Sequence, residues 1–511
     1  MEKTFTLYLI SPSQKYKHYA SGIGMSRLLG KKINITPLAL PTLASLTPSH
    51  YNITIIDEEL RKIPKQLPDI VGITTLSSMY ERAYEIADDY RKKDIPVVLG
   101  GPHVSFMQEE ALQHADAIVV GEAEAIWASC LKDFENNQLQ KVYKSDTFCE
   151  FKQQVPPRWD LIDTSQINSL GLQISRGCPY NCEFCIVSST YGRKMRYRDI
   201  DNVIAEIESA PLKNFFIVDD NLTTNKTYMR ELLVRIKPLH INFTCMASIE
   251  IANETELLAL MAEAGCKFIV VGFESLNSNS LTETGKAQNS VEQYIEAVNS
   301  IHSSGIFVFA TFIIGFDNDT HEEFEKLYHF IHKANIWYNM ISILGLTPGS
   351  DLYYRMKAEK RWMNPPANLR GVMFPLMHYK HFEPLALTDA YFELLNILYQ
   401  PDDLWHRIIP LFDTAWFATR PQNTEVSLRM KISTSIKIIW HYLIKSSPSE
   451  RILFFELIRK VRTKKVSPEN VIFFLLIVKG LRIQLSEIKH QIPSIKKEIS
   501  TYFENNKNIR L

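Results

Sequence analysis

The chain has no uninterrupted apolar run of the ~18 residues that a membrane-spanning helix requires; the longest late run, Val471 to Val478, stops at Lys479. Net charge is also missing. Lys plus Arg and Asp plus Glu number 57 each, so the overall balance selects no partner class, and no nucleic-acid partner is expected. Cysteine is scarce and its count is odd, seven in 511 residues, which speaks against a disulfide framework. No signal-peptide pattern opens the sequence, so the expected compartment is a reducing cytoplasm. What remains is an enzyme-sized chain, too long for one ordinary core and expected to form two or three domains. Charge is unevenly spread along it: from Arg429 to the end there are 17 basic and 6 acidic residues.

Three of the few cysteines lie together. Cys178, Cys182 and Cys185 are spaced C-x3-C-x2-C directly after the apolar run Leu170 to Ile174, with Arg176-Gly177 before them and Tyr191-Gly192-Arg193 after. Three thiolates so placed on one tight loop can converge on a metal centre. They are one short of the four ligands that close a structural zinc site or a fully ligated iron–sulfur cluster, so one position stays open. Zinc would need a fourth ligand, and the next cysteines, Cys245 and Cys266, sit inside apolar runs that read as core.

Residues 1–145 alternate short apolar runs with helical patterns: Phe5 to Ile10, Ile53 to Asp57, Ile70 to Leu76, Val97 to Gly101 and Ala117 to Gly121. Five strands with helices between them predict a doubly wound, flavodoxin-like parallel sheet in an α/β fold. Small or polar residues follow each strand, among them Ser11, Thr74, Gly100-Gly101-Pro102-His103 and Gly121-Glu122. In such a sheet those ends line the ligand crevice, and paired glycines admit a flat ligand close to the backbone. A generic flavodoxin-like domain with another ligand, or none, fits the same pattern.

Residues 146–165 read as a linker around Pro156-Pro157. Over 166–350 six further strand-like runs follow: Leu170 to Ser175, Phe215 to Asp220, Asn242 to Ser248, Phe268 to Ser275, Phe307 to Gly315 and Tyr338 to Leu344. Six β/α units predict a partial (β/α)6 barrel with its chemistry at the carboxyl ends of the strands. Asp219-Asp220-Asn221 ends the second unit; acids beside an open cluster suit a ligand that carries an ammonium group. Residues 351–511 read as a helical C-terminal domain, with helices at Tyr391 to Tyr399, Ile432 to Ile444, Ile452 to Val461 and Val471 to Leu485. Apolar faces and the basic residues Lys437, Lys445, Arg459, Lys460, Arg462, Lys464, Lys465, Lys479 and Arg482 interleave there. That pairing predicts peripheral contact with an anionic membrane.

The cysteine spacing, with Phe184 just before the last cysteine, resembles the signature loop of the radical S-adenosylmethionine enzymes. Thr74-x-Leu76 and Gly100-Gly101 resemble the cobalamin-binding domain that precedes the radical domain in one large subgroup. The resemblance implies a 4Fe-4S cluster on Cys178, Cys182 and Cys185, S-adenosylmethionine on its open iron, and cobalamin held by Ser11, Thr74, Leu76, Gly100, Gly101, His103, Gly121 and Glu122. The Asp-x-His-x-x-Gly element that supplies an axial histidine in methionine-synthase-type domains is absent, so cobalamin is expected base-off. Phe184, Asp220, Asn221, Glu274 and Gly315 would contact S-adenosylmethionine, although Asp219-Asp220-Asn221 departs from the family's Gly-Gly-Glu. The implied activity is methyl transfer to an unactivated carbon of a small, apolar molecule through a 5′-deoxyadenosyl radical and methylcobalamin, with electrons from a ferredoxin or flavodoxin. Cyclisation or hydroxylation of the porphyrin-cyclase type, and a sensor or electron carrier without turnover, are the other readings.

Overall fold

The computed structural model describes residues 3–286, 289–363, 374–413, 436, 439–463 and 466–505. The first third contains strands β1 (Phe5–Ser11), β2 (Ile33–Ile35), β3 (Tyr51–Asp57), β4 (Ile70–Thr74), β5 (Val97–Gly100), β6 (Ala117–Val120) and β7 (Val142–Lys144). All but β2 form one parallel sheet in the order β3-β1-β4-β5-β6-β7. Its strands are apolar on both faces because both are covered: Tyr8 and Ile10 join one buried cluster, Leu7 and Leu9 the other. The helix Tyr80–Arg91 covers the first face with Ala83, Tyr84, Ile86, Ala87 and Tyr90. Because β1 lies between β3 and β4, the chain reverses direction across the sheet there, which opens a crevice at its carboxyl edge.

The second sheet is built from β8 (Ile167–Leu172), β11 (Asn214–Ile217), β12 (Asn242–Ala247), β13 (Cys266–Glu274), β14 (Phe307–Ile314) and β15 (Tyr338–Ile343), with two short strands, β9 (Ser175–Arg176) and β10 (Arg196–Tyr197), set apart as an antiparallel pair. The six units predicted from the apolar runs are all present, each within a few residues. A seventh strand was not foreseen. β2 leaves the first third of the chain and pairs in parallel with β8, Ile33 opposite Ile167 and Ile35 opposite Ser169, so the order is β15-β14-β13-β12-β11-β8-β2.

Two expectations need correction. The first sheet has one strand more than the five expected over residues 1–145: Val142–Lys144 is a sixth, with only Tyr143 buried, too short a signal for an alternating pattern. The run Val471 to Val478 was counted among the apolar faces that could meet lipid. It lies in the helix Pro468–Asn505, where Val471, Phe474, Leu475, Leu476, Ile477 and Val478 are buried in the same core as the barrel. Trp337 meets Phe474 edge-on at 4.9 Å, and the Gln484 amide donates to the His18 carbonyl at 2.6 Å. This helix therefore straps the segment after β1 onto the second sheet.

The remaining described tail is helical at Pro384–Leu398, Pro401–Ile408 and Pro448–Arg462, the last begun by a capping box between Ser447 and Glu450. Part of the expected helix Ile432 to Ile444, the lysines 437, 464 and 465, and positions 364–373 of the stretch after β15 lie outside the described residues. Among the described residues no helix is long and apolar enough to cross a membrane.

Candidate active site at the facing ends of two sheets

The cysteine loop is clasped by its own flanks. β9 and β10 pair Arg196 with Arg176 and Tyr197 with Ser175, and the Cys178 amide donates to the Gly192 carbonyl at 3.3 Å. Gly177, at φ +98°, has no room for a side chain: a Cβ would stand 2.6 Å from the Lys194 carbonyl oxygen. The residues that frame the cysteines in sequence are thus the base of the loop. Asp219 fixes its entry, accepting from the Ile174 amide at 2.7 Å and the Ser175 hydroxyl at 2.5 Å. Burial pushes this carboxyl up to about 7 against those hydrogen bonds.

The far side of the loop is held by later elements. The Glu183 amide donates to the Thr284 carbonyl at 3.0 Å, and its carbonyl accepts from the Leu352 amide at 2.9 Å. Its carboxylate is gripped at two points by Arg355, at 2.5 and 2.9 Å. Phe184 packs toward Phe316, ring centres 6.1 Å apart. The three cysteines are half-buried, and burial raises all three thiols, Cys185 to about 11. Thiols held in that state bind as thiolates only with a strong cationic partner, such as iron. Among the described residues no three His, Cys, Asp or Glu side chains are placed to hold a single metal ion. A cubane places its three thiolates on three different irons, and this loop, open on one side, fits that donor set.

Charged groups surround the opening. Burial raises the Asp220 carboxyl to about 6, and its charge acts on Cys178 and Cys185. Glu274 ends β13 at φ +63°, a conformation that costs a residue with a side chain of order 1–3 kcal/mol. It follows a bulge at Gly272, and its carboxylate pairs with Lys286. Lys286 is only 13% exposed and lies near Cys182 and Cys185; burial lowers its pKa, but the Glu274 charge outweighs that and leaves it raised. A Cβ at Gly272 would stand 2.2 Å from the Glu274 carboxylate and 2.7 Å from Lys286 Nζ, so this glycine makes room for the pair. Asn221 instead joins two strand ends, its side-chain oxygen accepting from the Ser248 amide at 3.4 Å. Gly315, at φ +111°, has the Tyr379 ring 2.8 Å from where a side chain would begin, and its amide donates to Asp319 at 3.0 Å.

On the first sheet, Ser11, Thr74, Leu76, Gly100, Gly101 and Gly121 stand together along the carboxyl edge. Gly101, at φ +101°, leaves no space for a Cβ, which would fall 2.8 Å from the Thr75 backbone; beside Gly121, at φ +79°, the space is open. Leu76 is 45% exposed at this edge, an uncovered apolar surface that fits a large flat ligand such as a corrin. Two residues expected beside these at the cobalamin site have other partners. His103 is buried and stacked on Tyr80 at 4.5 Å, with Nδ1 3.1 Å from Ser77 and Nε2 3.2 Å from Glu110, so neither nitrogen reaches outward. Glu122 binds Arg176 at 2.9 Å and Arg196 at 2.8 Å. Burial raises its pKa, but the two guanidinium groups and the Cys149 amide outweigh that and leave it lowered.

That ion pair also shows how the two sheets meet. Arg176, which opens the cysteine loop, reaches Glu122 and Glu124 and lies over the Phe151 ring at 4.5 Å. Phe106 fills the space beside Gly349, and the Tyr353 hydroxyl lies 3.9 Å from Met107 Sδ. The carboxyl edges of both sheets therefore face each other around the cysteine loop. Sequence reading missed Lys286, Gly272, Arg355 and the Arg176–Glu122 pair. Gly285-Lys286 after a helical pattern was the one local hint.

The chain matches the family description "Radical SAM superfamily" over residues 172–331 and "B12 binding domain" over residues 46–131. It is 33% identical over 399 residues to the bacteriochlorophyllide d C-8(2)-methyltransferase of Chlorobaculum tepidum, covering 72% of this chain and 88% of that one. It is 26% identical over 473 residues to the hopanoid C-2 methylase of Rhodopseudomonas palustris, covering 88% of each. In fold it is similar to the cobalamin-dependent S-adenosylmethionine radical enzyme OxsB, solved with aqua-cobalamin and S-adenosylmethionine bound: TM-score 0.57, 16% identity, 100% of this chain and 85% of that one.

Proposed function

The chain belongs to the cobalamin-dependent radical S-adenosylmethionine enzymes, and from that premise we propose that it methylates an unactivated carbon of an apolar, polycyclic small molecule. It is an enzyme of the methyltransferase branch, and its cofactors are a 4Fe-4S cluster, S-adenosylmethionine and cobalamin. When bound, the cluster and S-adenosylmethionine supply a hydrogen-abstracting radical and cobalamin supplies the methyl group. The observation that carries the reading is the facing of the two carboxyl edges, joined by Arg176 to Glu122 and by Phe106 against Gly349. Two cofactors that must both reach one substrate carbon need such a shared opening.

In this reading Cys178, Cys182 and Cys185 hold the cluster. Asp220 and Lys286 receive the ammonium and carboxylate of the methionine moiety, opposite charges for opposite ends. A cation against Asp220 would draw its raised pKa down again. Glu274 would hold Lys286 in place, and Thr74, Leu76, Gly101 and Gly121 would seat cobalamin. The named substrates of the two relatives, a bacteriochlorophyllide and a hopanoid, support the polycyclic class. A ferredoxin or flavodoxin would deliver electrons in the cytoplasm, and peripheral membrane contact would bring the enzyme to a substrate dissolved in lipid.

The test is anaerobic turnover with methyl-labelled S-adenosylmethionine, a reductant, and bacteriochlorophyllide d or a hopanoid as acceptor. Labelled product with one S-adenosylhomocysteine and one 5′-deoxyadenosine per methyl is expected. 5′-Deoxyadenosine with neither S-adenosylhomocysteine nor label in the product would assign cyclase-type chemistry instead.

A further inference from the structure

The stretch 439–462, with Ile436 just before it, turns apolar side chains outward where the helix Pro468–Asn505 turns them in. Ile436, Ile439, Trp440, Leu443 and Ile444 are all exposed, Trp440 at 55%, the last two in the π-helical turn His441–Lys445. The opposite side is satisfied: Tyr442 is buried and stacks on Phe454 at 5.5 Å. In the next helix, Pro448–Arg462, Leu453, Phe454 and Leu457 face the core, while Ile452, at 60%, and Phe455 are exposed. An uncovered apolar face of this kind marks an interaction surface.

The surrounding charge decides among occupants. Arg451, Arg459 and Arg462 are exposed on the same helix as Ile452 and Phe455. Between 436 and 465 the sequence carries eight basic residues and two acidic ones. Glu450 is taken by Arg482, and Glu456 pairs with Arg459 at 2.8 Å in an exposed, weak bridge that a phosphate head group can exchange. A second copy of this face would set like charges against each other. An anionic bilayer complements both features, taking the apolar side chains at its boundary and the arginines at its head groups, with the Trp440 indole at the depth such rings favour.

We propose that residues 439–462 form a docking face for an anionic membrane surface, with the helix Pro468–Asn505 as its internal support. The helix Pro468–Asn505, despite its longer apolar run, is committed to the core. The inference extends the reading of an apolar substrate, since a lipid-dissolved substrate gives the contact its use. Binding is read without turnover, so the two stand or fall separately.

The test is co-sedimentation of the full-length, reconstituted enzyme with vesicles of phosphatidylcholine alone or mixed with phosphatidylglycerol. The wild type is expected to pellet with the anionic vesicles at low salt and to be released at high salt. The triple variant Trp440→Ser, Ile444→Ser, Ile452→Ser, altered only at exposed positions, is expected to lose on the order of tenfold in partitioning with its iron content unchanged. Recovery in the supernatant with both vesicle types would overturn the proposal. So would a dimer in analytical ultracentrifugation that the triple variant abolishes while the wild type ignores vesicles, which would assign the face to a second copy of the chain.

Discussion

Glu274 and Lys286 form an ion pair that exists only because Gly272 has no side chain: a Cβ there would stand 2.2 Å from the Glu274 carboxylate. The pair is little exposed, so loss of either partner leaves a charge without compensation, which is more costly than loss of a surface bridge. Gly272→Ala is expected to push the pair apart and to weaken S-adenosylmethionine binding at least tenfold, about 1.4 kcal/mol, while the iron content holds. Equilibrium dialysis of the reconstituted enzyme measures this. Unchanged affinity in Gly272→Ala would remove the pair from the binding site.

Arg355 grips Glu183, between two of the loop cysteines, and also reaches Asp317 at 3.2 Å and Glu283 at 3.2 Å. Arg355→Ala is expected to leave the cysteines present but the loop loose, so that iron is lost to a chelator several-fold faster than in the wild type. Cys178→Ala, Cys182→Ala and Cys185→Ala should abolish the cluster. Cys245→Ala and Cys266→Ala should not, because both thiols are buried in β12 and β13, where cysteine acts as a small apolar residue. Iron counting after anaerobic reconstitution separates the three outcomes.

The strands of both sheets were legible because each is an apolar run of four to nine residues bounded by turn residues, and burial on both faces demands such runs. β2 and β7 escaped because three residues carry no periodicity. The cysteine loop was legible because its three cysteines stand within one short stretch of sequence. Arg355 lies far along the chain from Glu183, and nothing in either neighbourhood announces the contact that the fold makes. The same reason hid the partners of Glu122 and His103, whose places at strand ends suggested a ligand while their side chains bond to Arg176, Arg196, Ser77 and Glu110. The basic, apolar tail gave two meanings at once; only burial separates the core helix Pro468–Asn505 from the outward face before it.

Both His103 nitrogens are engaged, by Ser77 and Glu110, and the ring is stacked on Tyr80, so this histidine is not turned toward a cobalt. The electron paramagnetic resonance spectrum of the cob(II)alamin form is expected to lack nitrogen superhyperfine splitting from an axial base. Splitting that disappears in His103→Ala would mean that the ring rotates out of its present contacts on binding.

His302 is buried and His18 half-buried, and loss of water around each ring lowers its pKa to about 4 from an ordinary 6.5. The folded protein then binds fewer protons than the unfolded chain between these values. Stability contributed by the two rings is therefore full above pH ~6.5 and is lost as pH falls toward 4, by up to ~3 kcal/mol for each. His302→Gln retains an acceptor for the Val308 amide, which approaches Nε2 at 3.4 Å, but cannot be protonated. Urea midpoints at pH 7 and pH 5 should differ less in this variant than in the wild type.

Gly24 and Gly480 let two helices touch backbone to backbone. A Cβ on Gly24 would stand 2.0 Å from the Gly480 carbonyl oxygen, and one on Gly480 would stand 2.3 Å from the Met25 amide nitrogen. Around this crossing the contacts reach in both directions: Arg27 pairs with Glu487, Gln484 donates to the His18 carbonyl, and the Tyr19 hydroxyl accepts from the Ile341 amide at 2.8 Å. The same segment then supplies β2 to the second sheet, so the last helix, the segment after β1 and the barrel edge form one packed unit. Gly480→Ala forces the helices apart by more than a flexible side chain could absorb, because the obstacle is backbone. Overpacking of this kind costs about 1–3 kcal/mol. The variant should show a lower thermal midpoint and earlier proteolytic cleavage between residues 11 and 33, with cluster assembly retained, since the hydrogen bonds described for the cysteine loop come from other elements. An unchanged midpoint in Gly480→Ala would mean that the last helix does not hold the barrel edge, and Gly24→Ala, which meets the same obstacle from the other side, should agree with whichever result is found.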